Sequence, residues 1–206
     1  MVGFSKTEPA KKCVDVVPKL ENHPEIAKTL EKPTNLREAF QSIIISDAFE
    51  IEMDGQAKLQ ELIELVKVDD SVMAGSLAIS SAVSLWRKNN ELNIDRLLEV
   101  VDLDDLYAQA DQVEKQVSFN NDIAVTFFFV QAAFDLSDYK QASQLSADKI
   151  IGFGNFIVAG VRPSNSMEYY YYLKLSAQLA VGSYGGAVRV SLVHNRPISY
   201  VSFLLN

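Results

Sequence analysis

Apolar positions recur at helical spacing through the first part of the chain and then give way to apolar runs and alternation. Val14, Val16 and Val17 alternate briefly with Asp15 until Pro18 stops them, which reads as an edge strand. Asn22-His23-Pro24 opens a short helical stretch carrying Ile26, Ala27 and Leu30, closed by Pro33. Asn35 with Glu38 three residues later forms a capping-box-like start. The helix it opens presents Leu36, Ala39, Phe40, Ile43 and Ile44 on one face. Leu59, Leu62, Ile63 and Val66 predict a second amphipathic helix, and Asp70-Ser71 cap a third from Val72 to Trp86. Apolar and small residues surround that third helix, which predicts a central, fully packed element. Ile94, Leu97, Leu98 and Val101 continue the helical pattern. Leu103, Leu106, Ala110, Val113 and Val117 follow it at spacings of 3, 4, 3 and 4.

After Asn120-Asn121 the texture changes. Ile123 to Val130 is β-branched and aromatic and reads as a buried strand. Asp138 to Ile151 reads as a short helix, Gly152 to Val161 as a strand, and Pro163-Ser164-Asn165-Ser166 as a loop. Tyr171, Leu173, Leu175, Ala177, Leu179 and Val181 then alternate with Tyr172, Lys174, Ser176, Gln178 and Ala180, the period of a half-buried strand. A helix is the rival for this arm, because Leu173 to Ala180 are also good helix formers. Gly182-Ser183-Tyr184-Gly185-Gly186 supplies a turn, and Val188, Val190 and Leu192 form the return arm of a long hairpin. A last strand runs from Ile198 to Leu205. Helices first and strands second predict an α+β fold in one domain, helix-rich over 1–121 and strand-rich over 122–206. The helices would pack against a largely antiparallel sheet as a layered α/β sandwich. No internal repeat stands out.

Charge sharpens this division. The net charge of -8 is unevenly placed, with 22 acids against 13 bases over 1–121 and 5 against 6 over 122–206. No acidic residue follows Glu168, while Lys174, Arg189 and Arg196 do. A dense basic patch of the kind that binds nucleic acid is missing, which excludes that partner class. One cysteine, Cys13, excludes an internal disulfide and a cysteine-based zinc site. The start, MVGFSKTEPAKK, has no apolar h-region, so no signal peptide is visible. The charge-free run Ser71 to Trp86, 16 residues long, is short of the ~20 needed to cross a bilayer as a helix. The expectation is a chain made soluble.

Catalytic chemistry is hard to assemble. His23 and His194 lie far apart; His194 sits in a region without carboxylates, and His23 beside Pro24 reads as a loop residue near a helix start. Gly152-Phe153-Gly154 lacks the third glycine of a dinucleotide loop, and the clustered Asp102, Asp104 and Asp105 lack a calcium-loop pattern. No catalytic, cofactor or metal site is assigned. Tyr169 to Tyr172 can form a stacking platform, a sugar-binding face, an interfacial belt or plain strand packing. Tyr170, Tyr172, Lys174, Arg189 and Arg196 are the candidate membrane or partner contacts.

Val17-Pro18, then Pro33, Leu36 and Ala39, later Ala48-Phe49, and a second helix over Leu59 to Val66 resemble the opening of one family. That family is the Cyt-type δ-endotoxins of bacteria together with the mushroom cardiotoxin volvatoxin. The resemblance covers roughly residues 14 to 66. It implies a non-enzymatic, pore-forming cytolysin: a soluble, secreted monomer that binds a target-cell membrane, oligomerises there and permeabilises it without cofactors. Two other readings stand beside it. The C-terminal strands could serve a protein-interaction or self-assembly module, or scattered carboxylates could build an enzyme site.

Overall fold

The computed structural model describes residues 33–48, 51–159 and 161–181. Helix takes 66% of these residues and strand 4%. The helices are α1 (Leu36–Ala48), α2 (Gly55–Val66), α3 (Val72–Lys88), the single-turn α4 (Asp95–Leu98) and α5 (Leu103–Tyr107). A hairpin follows, with β1 (Asp111–Val113) antiparallel to β2 (Gln116–Ser118) and Gln112 opposite Val117. The chain then forms α6 (Ile123–Lys140), α7 (Ala147–Val158) and α8 (Ser166–Val181).

The first three helices arise as their sequence dictates. Asp54 caps α2 by accepting from the amides of Gln56 and Ala57, and Ser71 caps α3 by accepting from that of Ala74. Leu59, Leu62, Ile63 and Val66 are buried on α2. Helix α3 is buried nearly all round and packs against α1, α2 and α6. At Gly75 an added Cβ would lie 2.8 Å from Leu106 Cδ1, so a side chain there would displace the leucine that α5 sets against α3.

The layered α+β expectation is overturned, because three of its strands are helices. Ile123 to Val130 opens α6, where Asp122 accepts from the amides of Ala124 and Val125 at 2.7 and 3.1 Å. Helix α6 is apolar on nearly every side and is enclosed by α3 and α8. A segment buried all round carries no periodicity to separate helix from strand. Gly152 to Val158 lies in α7, capped by Ser146. Gly152 marks close packing rather than a strand bend: a Cβ there would stand 2.4 Å from Val117 Cγ2 of β2. The Tyr171 to Val181 arm is α8, so the rival helix reading holds there. The proposed return arm and final strand fall on residues 182–206, outside the described residues, as do Val14 to Val17.

The strands among the described residues lie where the sequence pattern predicted helix. The seam from Leu103 to Val117 breaks after Tyr107, and Val113 and Val117 sit on opposite arms of the hairpin. Glu114 and Lys115 form its two-residue turn with φ of 47° and 69°, the conformation a tight antiparallel hairpin requires. Neither residue is a glycine, so no turn signal announced it. The core is one cluster from Leu36 to Leu179, centred on Phe129, Phe153, Phe156 and Ile79.

Candidate functional site

The candidate contact residues fall on and beyond α8. Pro163-Ser164-Asn165-Ser166-Met167-Glu168 builds the start of that helix. The Ser164 amide and hydroxyl donate to Glu168 Oε2 at 2.6 and 2.9 Å, and Asn165 Oδ1 accepts from the amides of Met167 and Glu168 at 3.0 Å. These bonds, the backbone one foremost, hold the Glu168 carboxyl below its ordinary range. The same arrangement opens α1. Thr34 donates from its amide and hydroxyl to Glu38 Oε2 at 2.7 and 2.8 Å, and the Glu38 amide donates to Asn35 Oδ1 at 2.9 Å. Glu38 is lowered by the same cause. Pro33-Thr34-Asn35-x-x-Glu38 therefore recurs as Pro163-Ser164-Asn165-x-x-Glu168. The first copy was legible as a capping box. The second has the same Asn-x-x-Glu signal, although its Pro-Ser-Asn-Ser run reads as a loop from sequence alone.

Helical winding distributes the tyrosines differently from a strand. Tyr171 turns inward, stacked on Phe127 at 5.4 Å between ring centroids and tilted against Phe128 at 5.3 Å. Tyr172 is half-buried against the core. Leu175 and Leu179 are buried, and Gln178 bonds Gln131 of α6. Tyr169, Tyr170, Leu173 and Met167 face outward. Lys174 is exposed, with Nζ 5.7 Å from the centroid of the Tyr170 ring. The expected burial of Leu173 alongside Leu175 is thus wrong, because it followed a period of two. Of the five candidates, Tyr170 and Lys174 share the outward face and Tyr172 lies at its inner edge. Arg189 and Arg196 lie outside the described residues. Met167, Tyr169 and Leu173 complete the face and were missed; a period of 3.6 applied from Asn165 onward would have found them.

Elsewhere the polar groups serve packing. Arg87 at the end of α3 donates to Asp135 at 2.9 Å and to Asp138 at 3.1 Å, both on α6. Partial burial pulls its pKa down, but the two carboxylates offset this and leave it raised. Lys149 pairs with Asp104 at 3.1 Å and covers the Tyr107 ring at 4.0 Å. Lys149 and Tyr107 edge a cleft of about 540 Å³ between the hairpin and α7. No group of three or more histidine, cysteine or acidic residues that could hold a metal occurs among the described residues. Cys13, His23 and His194 lie outside them. No described helix is long and apolar enough to cross a membrane.

The model of one protein family, the Ribophorin II N-terminal domain, matches residues 12–180, most of the chain and the described elements up to the last residue but one of α8. The chain belongs to the Ribophorin II N-terminal domain family. No curated protein and no solved structure matches it. Membership replaces the cytolysin resemblance, which rested on common residue types at the front of the chain. Ribophorin II is a family of non-catalytic oligosaccharyltransferase subunits in the endoplasmic reticulum membrane. The pore-forming function, the toxin class, the lipid surface as partner with oligomerisation upon it, and the secreted location are corrected accordingly. The hairpin that would have inserted is, in its described arm, the helix α8.

Proposed function

We propose that the protein is a non-catalytic subunit of the oligosaccharyltransferase complex, a helical scaffold that holds protein partners and performs no bond chemistry itself. The observation that carries this reading is the Ribophorin II match over residues 12–180. The packing is in keeping with it. One core runs from Leu36 to Leu179, which supports treating the chain as a single unit, and its largest side chains are aromatic and aliphatic. A scaffold of this kind contributes surface, and its use is set by which outward faces are apolar.

The test is recovery of the complex. Affinity-tagged full-length protein, expressed in cells and extracted from microsomes in mild detergent, should bring down oligosaccharyltransferase. The eluate should glycosylate an Asn-x-Thr acceptor peptide. An eluate from intact, folded protein without that activity would remove the reading.

A further inference from the structure

The shared opening of α1 and α8 places the two helices in one register, and that register exposes a difference between them. Counted from the cap, Tyr169 stands where Ala39 does, Tyr170 where Phe40 does and Leu173 where Ile43 does. Ala39 and Ile43 are 1% and 0% exposed, in the core that α1 shares with α3. Their counterparts Tyr169 and Leu173 are 56% and 57% exposed, with Tyr170 at 49% and Met167 at 56% beside them. The side of the helix that α3 covers on α1 is bare on α8. Four large apolar residues clustered on one side of a 16-residue helix are more than the scattered single exposures ordinary in folded proteins.

The charges beside the two faces have opposite sign. On α1, Asp47 pairs with Lys88 from the basic end of α3 at 3.3 Å. On α8 no carboxylate follows Glu168; in the shared register Ala177 stands at the position of Asp47 and the exposed Lys174 at that of Ile44, with exposed Arg162 preceding the cap. Neither cation forms an ion pair with a described residue. A helix that seats on α1 offers a cation to Asp47. One that seats on α8 must offer anions to Lys174 and Arg162.

We propose that Met167, Tyr169, Tyr170, Leu173 and Lys174 of α8 form the seat for an amphipathic helix of another protein chain, apolar along its centre and acidic at its rim. The partner helix lies on α8 as α3 lies on α1. Tyrosines at the centre of such a seat bury large area at small entropic cost, which suits them to anchor it. Helix α8 offers a track of ~24 Å, room for about four turns of the partner. This inference rests on the reading of the protein as an oligosaccharyltransferase subunit, which supplies the partner chains.

The experiment uses the same tagged full-length protein and microsomal extraction. Leu173→Asp should lower recovery of oligosaccharyltransferase on the order of tenfold, with an unchanged melting temperature because Leu173 faces solvent. Lys174→Glu should lower it several-fold, more at low salt than at high. Gln41→Asp, on the exposed side of α1, should leave recovery unchanged. A photoreactive residue in place of Tyr170 should cross-link, in the purified complex, to an acidic amphipathic helix of another chain. The proposal falls if parent and both α8 variants recover the complex equally. It also falls if the cross-link maps to residues 182–206 of the same chain or to a second copy. Should Leu173→Asp itself melt early, Lys174→Glu and the cross-link position decide. Failure of the parent to recover the complex removes the subunit reading and this inference with it, whereas normal recovery by parent and variants alike removes this inference alone.

Discussion

Helices α1 and α8 share an opening motif, one hydrogen-bonding pattern and the end positions in a succession where α1 packs on α3, α3 on α6 and α6 on α8. Yet they turn different sides to the core. Helix α1 buries Leu36, Ala39 and Ile43 and leaves Arg37, Gln41 and Asp47 in solvent, with Ile44 the one large apolar residue of its exposed side. Helix α8 buries Leu175 and Leu179 and leaves Met167, Tyr169, Tyr170 and Leu173 outside. The ring of Phe128 on α6 touches both helices, meeting Phe40 at 5.8 Å and Tyr171 at 5.3 Å. Capping chemistry therefore fixes where a helix begins, but not which side it buries. That is set by the neighbours that later arrive.

The largest effect should separate Leu175 from Leu173. In a strand the two lie on one face, while in α8 one is fully buried and the other exposed. Leu175→Asp should lose about 3–5 kcal/mol, because it leaves an unpaired charge in the core. Leu173→Asp should change stability by less than about 0.5 kcal/mol. Chemical denaturation of both variants checks this, and equal losses would contradict a helical α8. A milder pair tests the shared register: Ile43→Ala should cost about 2–4 kcal/mol, whereas Leu173→Ala at the matching position should cost almost nothing.

The same contrast explains what the sequence could reveal. Helices α1, α2 and α3 were legible because caps and apolar spacing agree: Asn35 with Glu38, Asp54 with Leu59 and Leu62, Ser71 with a long apolar run. Helix α6 was not, because Phe127, Phe128, Phe129 and Val130 are all apolar and only the Asp122 cap marks the start. Helix α8 was misread because Tyr171, Leu173 and Leu175 satisfy a period of two by chance, and four tyrosines favour strands on propensity. Buried Leu175 and exposed Leu173 show tertiary contact overriding that propensity. The hairpin was missed because Glu114 and Lys115 hold a conformation usually given to glycine or asparagine. Of the contact face, Tyr170 and Lys174 stand out in the sequence by aromatic and basic character alone. Leu173 could be recovered only once the helical period was known.

Between the two ends, Arg87 tests how firmly α3 is pinned to α6. Its guanidinium joins Asp135, whose side chain is 7% exposed, and Asp138, whose side chain is 51% exposed. Because Arg87 is itself 44% exposed, its replacement costs less than breaking a fully buried pair. Arg87→Met should lower stability by about 1–2 kcal/mol, mainly by stranding Asp135. Adding Asp135→Leu should restore most of that loss, since the double variant leaves no unpaired charge buried and the half-exposed Asp138 is solvated. A double-mutant cycle by thermal melting measures it. Failure of the second change to help would place the cost in lost packing of the arginine stem.

The smallest effect bears on the register itself. Glu38 and Glu168 both have carboxyl pKa values lowered by hydrogen bonds from Thr34 and Ser164, the backbone one contributing most. A lowered folded pKa means that the carboxylate stabilises the cap above the unfolded value of about 4.3, and that this is lost as pH falls through the folded value. Acid should therefore fray the first turns of α1 and α8 together before the core opens. Glu38→Gln and Glu168→Gln should each remove the pH dependence at one end only. Amide hydrogen exchange at Thr34 and Ser164, whose amides donate to the Glu38 and Glu168 carboxylates, followed from pH 6 downward to about pH 3, reads both caps in one experiment. If the two amides lost protection at clearly different pH, the caps would not be equivalent. Matching Leu173 to Ile43, and with it the contrast between a covered and a bare helix face, would then lose its basis.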